Sequence, residues 1–361
     1  MTWGVFGAAL AFRGAYLAWA GGRVWFDVPA LDAQIFDGWA RAILAGDWVG
    51  RQLFLLNPGY AYVLAFLYGI AGPGPWVPAI AQAIAGAVTA VLIARIGVAC
   101  GGRHVGWAAG LLYAALACLP FYESQRLSAA WLNLANAAGL YWILVPGPRS
   151  SVKAGLAFGL SAWFRPNVLP VALVARSWAT WLGVALALAP LVVRNLIVSH
   201  EFVLTTVAGG IVFYKGNAPG PGLYTVPSFS SNNPTVEAKE FREEASRRTG
   251  APLSAAGASR FWTAETWRAV RADPAGWTAR MARKAVALVH ADEPSTNLDY
   301  DQFTRGAPIR MSPVTFGGLW VLSVLGTLWC WRDPRVRALV AYVAIYAITL
   351  LLFIVAPEYR L

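Results

Sequence analysis

The stretch WVPAIAQAIAGAVTAVLIARIGVACGGRHVGWAAGLLYAALACLPF (76–121) decides the fold class. Its two apolar runs, 77–98 and 105–121, approach the roughly 20 residues that a helix needs to cross a bilayer. Between them lies a short Gly-Gly turn flanked by Arg95 and Arg103. This is the pattern of a membrane hairpin, and it recurs along the chain. Further spans are expected at 3–20, 128–145, 152–164, 167–177, 178–194, 314–331 and 336–356, about nine in all. The pair within 152–177 is short and reads as broken half-helices. Of the 361 residues, 58% are hydrophobic and 13% charged, against about 25% charged in a soluble domain. Eighteen Trp supply interfacial anchors. Most soluble enzyme classes are thereby excluded.

The net charge of +11 invites a nucleic-acid reading, but its distribution argues otherwise. Residues 195–312 hold 13 basic and 11 acidic side chains, and the rest of the chain holds 16 and 7, mostly beside apolar segments. That is charge that sets membrane topology, not a stripe for phosphate backbones. The three Cys (Cys100, Cys118, Cys330) lie in or beside apolar runs and make neither a disulfide framework nor a metal knot. The first apolar run has no basic leader and no small-residue cleavage site, and it carries Arg13, so it reads as a retained helix.

Short loops set the orientation. Arg95 and Arg103, Arg149 and Lys153, Arg176, and Arg332, Arg335 and Arg337 mark four basic turns, which one alternating path places on the cytoplasmic side. Residues 21–76, the Tyr122–Leu127 turn and 195–312 then face outward, in an inner (plasma) membrane location. The expected domains are a membrane module with its first outer loop (1–194), an extracytoplasmic loop domain (195–312) and C-terminal spans (313–361).

In the first outer loop, LDAQIFDGWARAILAGDW (31–48) carries Ile35, Phe36, Trp39 and Ile43 at helical spacing, with Asp37 and Arg41 paired four residues apart. An amphipathic interfacial helix fits this pattern. NPGYAYVLAFLYGIAG (57–72) is a second juxtamembrane helix. Within 195–312, VLTTVAGGIVFYKGNAPGPGLY (203–224) alternates like a short strand pair with a Gly-rich loop. Helices are expected over 235–249, 255–272 and 274–290, the last capped by Asp273 ahead of Pro274. The expected fold is therefore mainly α: a polytopic helical membrane protein with a small extracytoplasmic α+β layer.

Charges at membrane depth are expensive and need a partner or a wet cavity. Arg13, Glu123, Arg126, Arg165, Arg194 and Arg360 are of this kind, and all but Arg13 map to outer ends of spans. Each Arg alone is equally well explained as an interfacial anchor. Together they suggest an anion site, with a lipid phosphate as the natural anion at that depth. Asp32 opens the first amphipathic helix and reads either as an N-cap or as a chemical base. Asp37 reads as a solvated partner of Arg41, and Asp47 as a cap for the next turn. Lys215-Gly216-Asn217, behind Gly209-Gly210, reads as a hairpin turn or an anion cradle. Asp292-Glu293-Pro294 reads as an acidic turn. The three His (His104, His200, His290) are scattered, and use of a divalent metal stays open.

The loop 31–48 followed by 57–72 resembles the first outer loop of the GT-C superfamily of membrane glycosyltransferases. The branch is the family 39 type, with the protein mannosyltransferases and the lipid A aminoarabinose transferase. The likeness continues through FYESQRLSAAWL (121–132), GLAFGLSAWFRPN (155–167), APLVVRNLIVSHEFVLTTVAGGIVFYKGNAPGPGLY (189–224) and APEYRL (356–361). It implies an outward-facing, membrane-embedded enzyme that moves a sugar from a polyprenyl-phosphate carrier to a hydroxyl of a lipid, glycan or protein, with inversion and without nucleic acid. Asp32 matches the family's catalytic acid/base, Glu123 its later outer acid and Arg360 the Arg of its Tyr-Arg motif. Many relatives have Asp-Glu where this chain has Asp32-Ala33. Relatives also continue through further spans, so the chain reads as a fragment. The rival classes are a transporter or flippase for lipid-linked sugars, which would show internal hydropathy repeats, and a non-catalytic scaffold.

Overall fold

The computed structural model describes residues 1–290 and 298–356, and every regular element among them is helical. Helices α1 (Thr2–Ala20), α2 (Val24–Asp27), α3 (Asp32–Leu44) and α4 (Gly59–Ala71) lead into α5 (Trp76–Ala115). This last element is a hairpin rather than a rod. The backbone leaves helical geometry at Gly101 and Gly102, and Gly102 has φ +82°, a conformation a side chain would oppose. Its two arms fold against each other where a Cβ on Gly106 would meet Ala94 O and Val98. The two expected spans on either side of the basic turn are thus two arms. Val5 and Ala9 of α1 pack on Ala87, Ala90 and Ala94 of the first arm.

After α6 (Cys118–Ser124) and α7 (Ala129–Leu144), α8 (Ser150–Phe164) passes into a 3-10 segment, Pro166–Ala175, and then α9 (Trp178–Ser199). Pro166 explains the break: the residue before proline is pushed to extended geometry, and Arg165 sits at φ −159°, ψ 105°. The expected half-helices are present here. Phe158 and Ala162 of α8 lock against Val184 and Leu188 of α9.

The long stretch that follows holds α10 (Gly209–Asn217), α11 (Glu237–Thr249), α12 (Ala255–Ala272), α13 (Pro274–Val289) and α14 (Tyr300–Phe303). A 3-10 turn at Pro308–Met311 precedes α15 (Phe316–Cys330) and α16 (Pro334–Leu352). Asp273 caps α13 as expected, accepting the Gly276 amide at 2.8 Å. The expected strand pair is absent among the described residues, so this layer is helical rather than α+β. Alternation in 203–224 misled because Ile211 and Tyr214 also fit a helical face, which packs on Phe241 and Trp262. Gly210 lets that face approach the backbone of Ser259. Packing outweighed local β preference.

Nine full crossings are likewise not reproduced. Among the described residues three helical elements are long and apolar enough to span a membrane: the α5 hairpin, α9 and α16. Shorter apolar helices are α4, Pro166–Ala175 and α15. Turns and prolines divide the remaining runs; 105–121, for example, splits into the end of α5 and the start of α6. No residue of α15 is buried, and its exposed Val321, Leu325, Leu328 and Trp329 form a surface that lipid suits. The chain has the character of an integral helical membrane protein.

The elements sort to two ends. Arg335 donates to Ala99 O, and Leu339 packs near Cys100 and Leu144, so three of the basic turns share one end. At the other end, the Ala45–Leu56 loop lies on the end of α9, Ser312 Oγ donates to Ala115 O, and Asn217 Nδ2 donates to Leu352 O.

Candidate functional site

The candidate site forms where the α2–α3 connection meets the segment between α6 and α7. Leu31, the residue before α3, holds φ +52°, ψ −125°, a strained conformation for a branched side chain. Asp32 is therefore the first helical residue and not the cap. Half-buried, it has the favourable helix N-terminus beneath it. Phe36, Ala40 and Ile43 fasten α3 to Tyr60, Leu64 and Tyr68 of α4.

Asp37 is not the solvated partner that its spacing suggests. It is 8% exposed and accepts from Tyr68 Oη (2.5 Å) and Arg41 Nε (2.7 Å), with Arg126 Nη1 at 3.4 Å. Burial alone would raise its pKa; the hydrogen bonds from Arg41 and Tyr68 and the charges of Arg41 and Arg126 hold it below the usual carboxylate value. Arg126 also donates from Nη2 to the carbonyls of Asp27 (2.6 Å) and Phe26 (3.4 Å), tying the end of α2 to the α6–α7 segment.

Gln82 holds the same segment from α5, its Nε2 donating to Glu123 O and to Gln125 O (2.8 Å). A small cleft, partly open to solvent, lies between these elements. Trp25, Phe26, Pro29, Ala30, Ala33, Gln125, Arg126 and Leu127 line it. Ala33, in the first turn of α3, and Ala30, just before the helix, are lining residues; Asp32 lies between them in sequence and is not itself in the lining. Gln125 Nε2 is buried there without a protein partner.

The other expected site residues go elsewhere. Glu123 faces the interior and grips Arg13. Arg194 donates to Val49 O (2.6 Å), Gln52 O (2.6 Å) and Asn195 Oδ1 (3.1 Å), and stacks on Phe54. Lys215 lies in α10, not in a turn, and pairs with Glu237 (2.6 Å) and Asn232 (3.0 Å). These cations join protein segments rather than forming one open anion site. Arg165 is half-buried where α8 gives way to Pro166. Arg360 and Asp292-Glu293-Pro294 lie outside the described residues. Among the described residues no cluster of three His, Cys, Asp or Glu is arranged to hold a metal ion.

Sequence reasoning missed Gln125, and it missed Arg280 and Lys284. These last two point inward from α13 beside Trp277, and their 3.6-residue spacing with Trp277 was the available signal.

No family model and no curated protein matches the chain. Among solved structures it is similar to the archaeal oligosaccharyltransferase AglB from Archaeoglobus fulgidus, solved with an inhibitory peptide and a dolichol-phosphate. The TM-score is 0.51 at 14% identity, over 99% of this chain and 48% of that one. At that identity the likeness shows a shared fold and no residue roles. This chain spans about half the length of AglB.

Proposed function

We propose that the protein is a glycosyltransferase that moves a sugar from a polyprenyl-phosphate carrier to an acceptor hydroxyl on the extracytoplasmic side of the plasma membrane. The observation that carries this reading is the position of Asp32, half-buried in the first turn of α3 next to Ala33, which lines the cleft. The fold shared with AglB supports it, as does the dolichol-phosphate in the AglB structure, which makes a lipid-linked donor a natural substrate class.

A phosphate-linked sugar already carries a good leaving group. Asp32 takes the proton of the acceptor hydroxyl, whose oxygen bonds to the anomeric carbon. The bond from that carbon to the phosphate oxygen breaks, and its electron pair leaves with the lipid phosphate. A single displacement inverts the anomeric centre. The proton transfer is worth about 10²–10⁴ in rate.

The test is transfer of labelled sugar from a polyprenyl-phosphate donor by purified parent and Asp32→Asn protein. Asn keeps the size of the side chain and removes the base. Turnover is expected to fall at least about a hundredfold with the melting temperature unchanged. Equal turnover in a well-folded Asp32→Asn protein would overturn the assignment.

A further inference from the structure

On the inward face of α13, Lys284 is fully buried and donates from Nζ to Leu351 O (2.9 Å) and Phe353 O (2.6 Å). These are carbonyls at the end of α16, which a helix leaves without internal partners. One turn earlier, Arg280 is only 5% exposed. Its Nη2 reaches Gly220 O at 3.3 Å, while Nε and Nη1 are buried with no partner. Among the described residues no carboxylate forms an ion pair with either cation. The charges acting on Arg280 are the like charge of Arg283 and that of Asp273, whose carboxylate caps α13.

Two neighbouring buried cations without a counter-ion repel each other, and each forfeits its hydration. Burial, reinforced by Arg280, lowers the Lys284 pKa to about 7. Such an arrangement is at its most stable when an anion joins it. The free edge of a guanidinium presents parallel N–H donors that match two oxygens of one phosphate, which a spherical halide cannot exploit. The roof over Arg280 is the Pro219–Gly222 loop, whose Pro219, Pro221 and Gly222 are exposed. The floor is the end of α16, a helix apolar enough to span the membrane. That is the depth of a lipid head group.

We propose that Arg280 and Lys284 form a phosphate-binding site at the end of α16, entered beneath the Gly220 loop. It rests on the glycosyltransferase reading only for the source of the phosphate, a prenyl phosphate in the membrane. Arg126, Arg194 and Lys215, each held by protein partners, are not needed for it.

The experiment measures binding of undecaprenyl phosphate, undecaprenol and inorganic phosphate to the full chain in nanodiscs. The parent is expected to prefer the prenyl phosphate to the alcohol by at least about tenfold, and Arg280→Gln to lose that preference. Arg280→Lys keeps a charge but not the fork, and is expected to lose most of it. Competition by millimolar inorganic phosphate would show that the head group alone is seated; its absence would show that the lipid chain is needed, and both support the site. Ligand-free Arg280→Met should melt no lower than the parent, because it removes an uncompensated buried charge. Asp32→Asn should bind like the parent while failing to transfer sugar. Phosphate binding by a parent that transfers no sugar would end the enzymatic reading and leave this site standing. Unchanged preference in Arg280→Gln and Arg280→Lys, or an Arg280→Met protein that melts lower and still prefers the phosphate, would overturn it.

Discussion

Arg13 and Glu123, 110 positions apart, clasp each other through two bonds inside the helical bundle: Nε to Oε2 at 2.5 Å and Nη2 to Oε1 at 2.9 Å. Arg13 is 1% exposed and Glu123 2%. Arg13 Nη1 also reaches Ala9 O (3.3 Å) and Ala114 O (3.5 Å), so one guanidinium ties α1, α5 and α6 together. Gly86 makes room for the pair: a Cβ there would collide with Arg13 Nε and both Glu123 oxygens.

Removing one partner strands the other in a dry interior. Glu123→Gln is therefore expected to cost about 3–5 kcal/mol of stability, with the double variant Arg13→Gln, Glu123→Gln recovering part of it. Melting of detergent-purified protein is the measurement. A Glu123→Gln protein as stable as the parent, but inactive, would restore a chemical role for this carboxylate.

Arg194 fastens the 49–52 loop to the end of α9 through two carbonyls, and Asn195 continues the clasp by donating to Val203 O and Thr205 O. Lysine carries the charge without the planar fork. Arg194→Lys is expected to lose about 1–3 kcal/mol and to open this loop to protease, while prenyl-phosphate binding stays at the parent level. Weakened phosphate binding with an intact, protected loop would make Arg194 a ligand contact instead.

Lys284 sets a pH dependence. Its folded pKa of about 7 lies below the ordinary 10.5. Below pH 7 both folded and unfolded chains hold the proton, and the full cost of burying the charge is felt. Between 7 and 10.5 the folded chain has released a proton that the unfolded chain keeps, so stability rises with pH. Melting temperature from pH 6.5 to 9.5 should climb in the parent and flatten in Lys284→Met. Parallel curves would assign the effect to another group.

The sharing of ends between loops and helices yields a topological expectation. Ser228 and Arg332 are exposed and belong to opposite ends. With Cys100, Cys118 and Cys330 replaced by Ala, a Ser228→Cys protein in intact cells should react with an impermeant thiol reagent, and Arg332→Cys only after lysis. The reverse pattern would invert the proposed orientation.

Membrane character, the α5 hairpin with its basic turn, the Pro166 break, the amphipathic α3 and the Asp273 cap were all legible in the sequence. Each rests on local rules: apolar length, helical period, the φ limits of Pro and the hydrogen bonding of a cap. Charge partners were not legible, because pairing depends on which helices pack side by side. Only the tertiary structure decided that Glu123 answers Arg13 across 110 residues, that Asp37 is buried under Tyr68 and Arg126, and that Lys215 belongs to a helix where alternation suggested a strand. It also decided that Arg280 and Lys284 are buried against backbone carbonyls, with Arg280 Nε and Nη1 left without acceptors among the described residues, in a layer whose charges were nearly balanced by count. Composition sums charge over a segment, whereas burial acts on each charge separately. A side chain's need for a partner is therefore set by the fold around it.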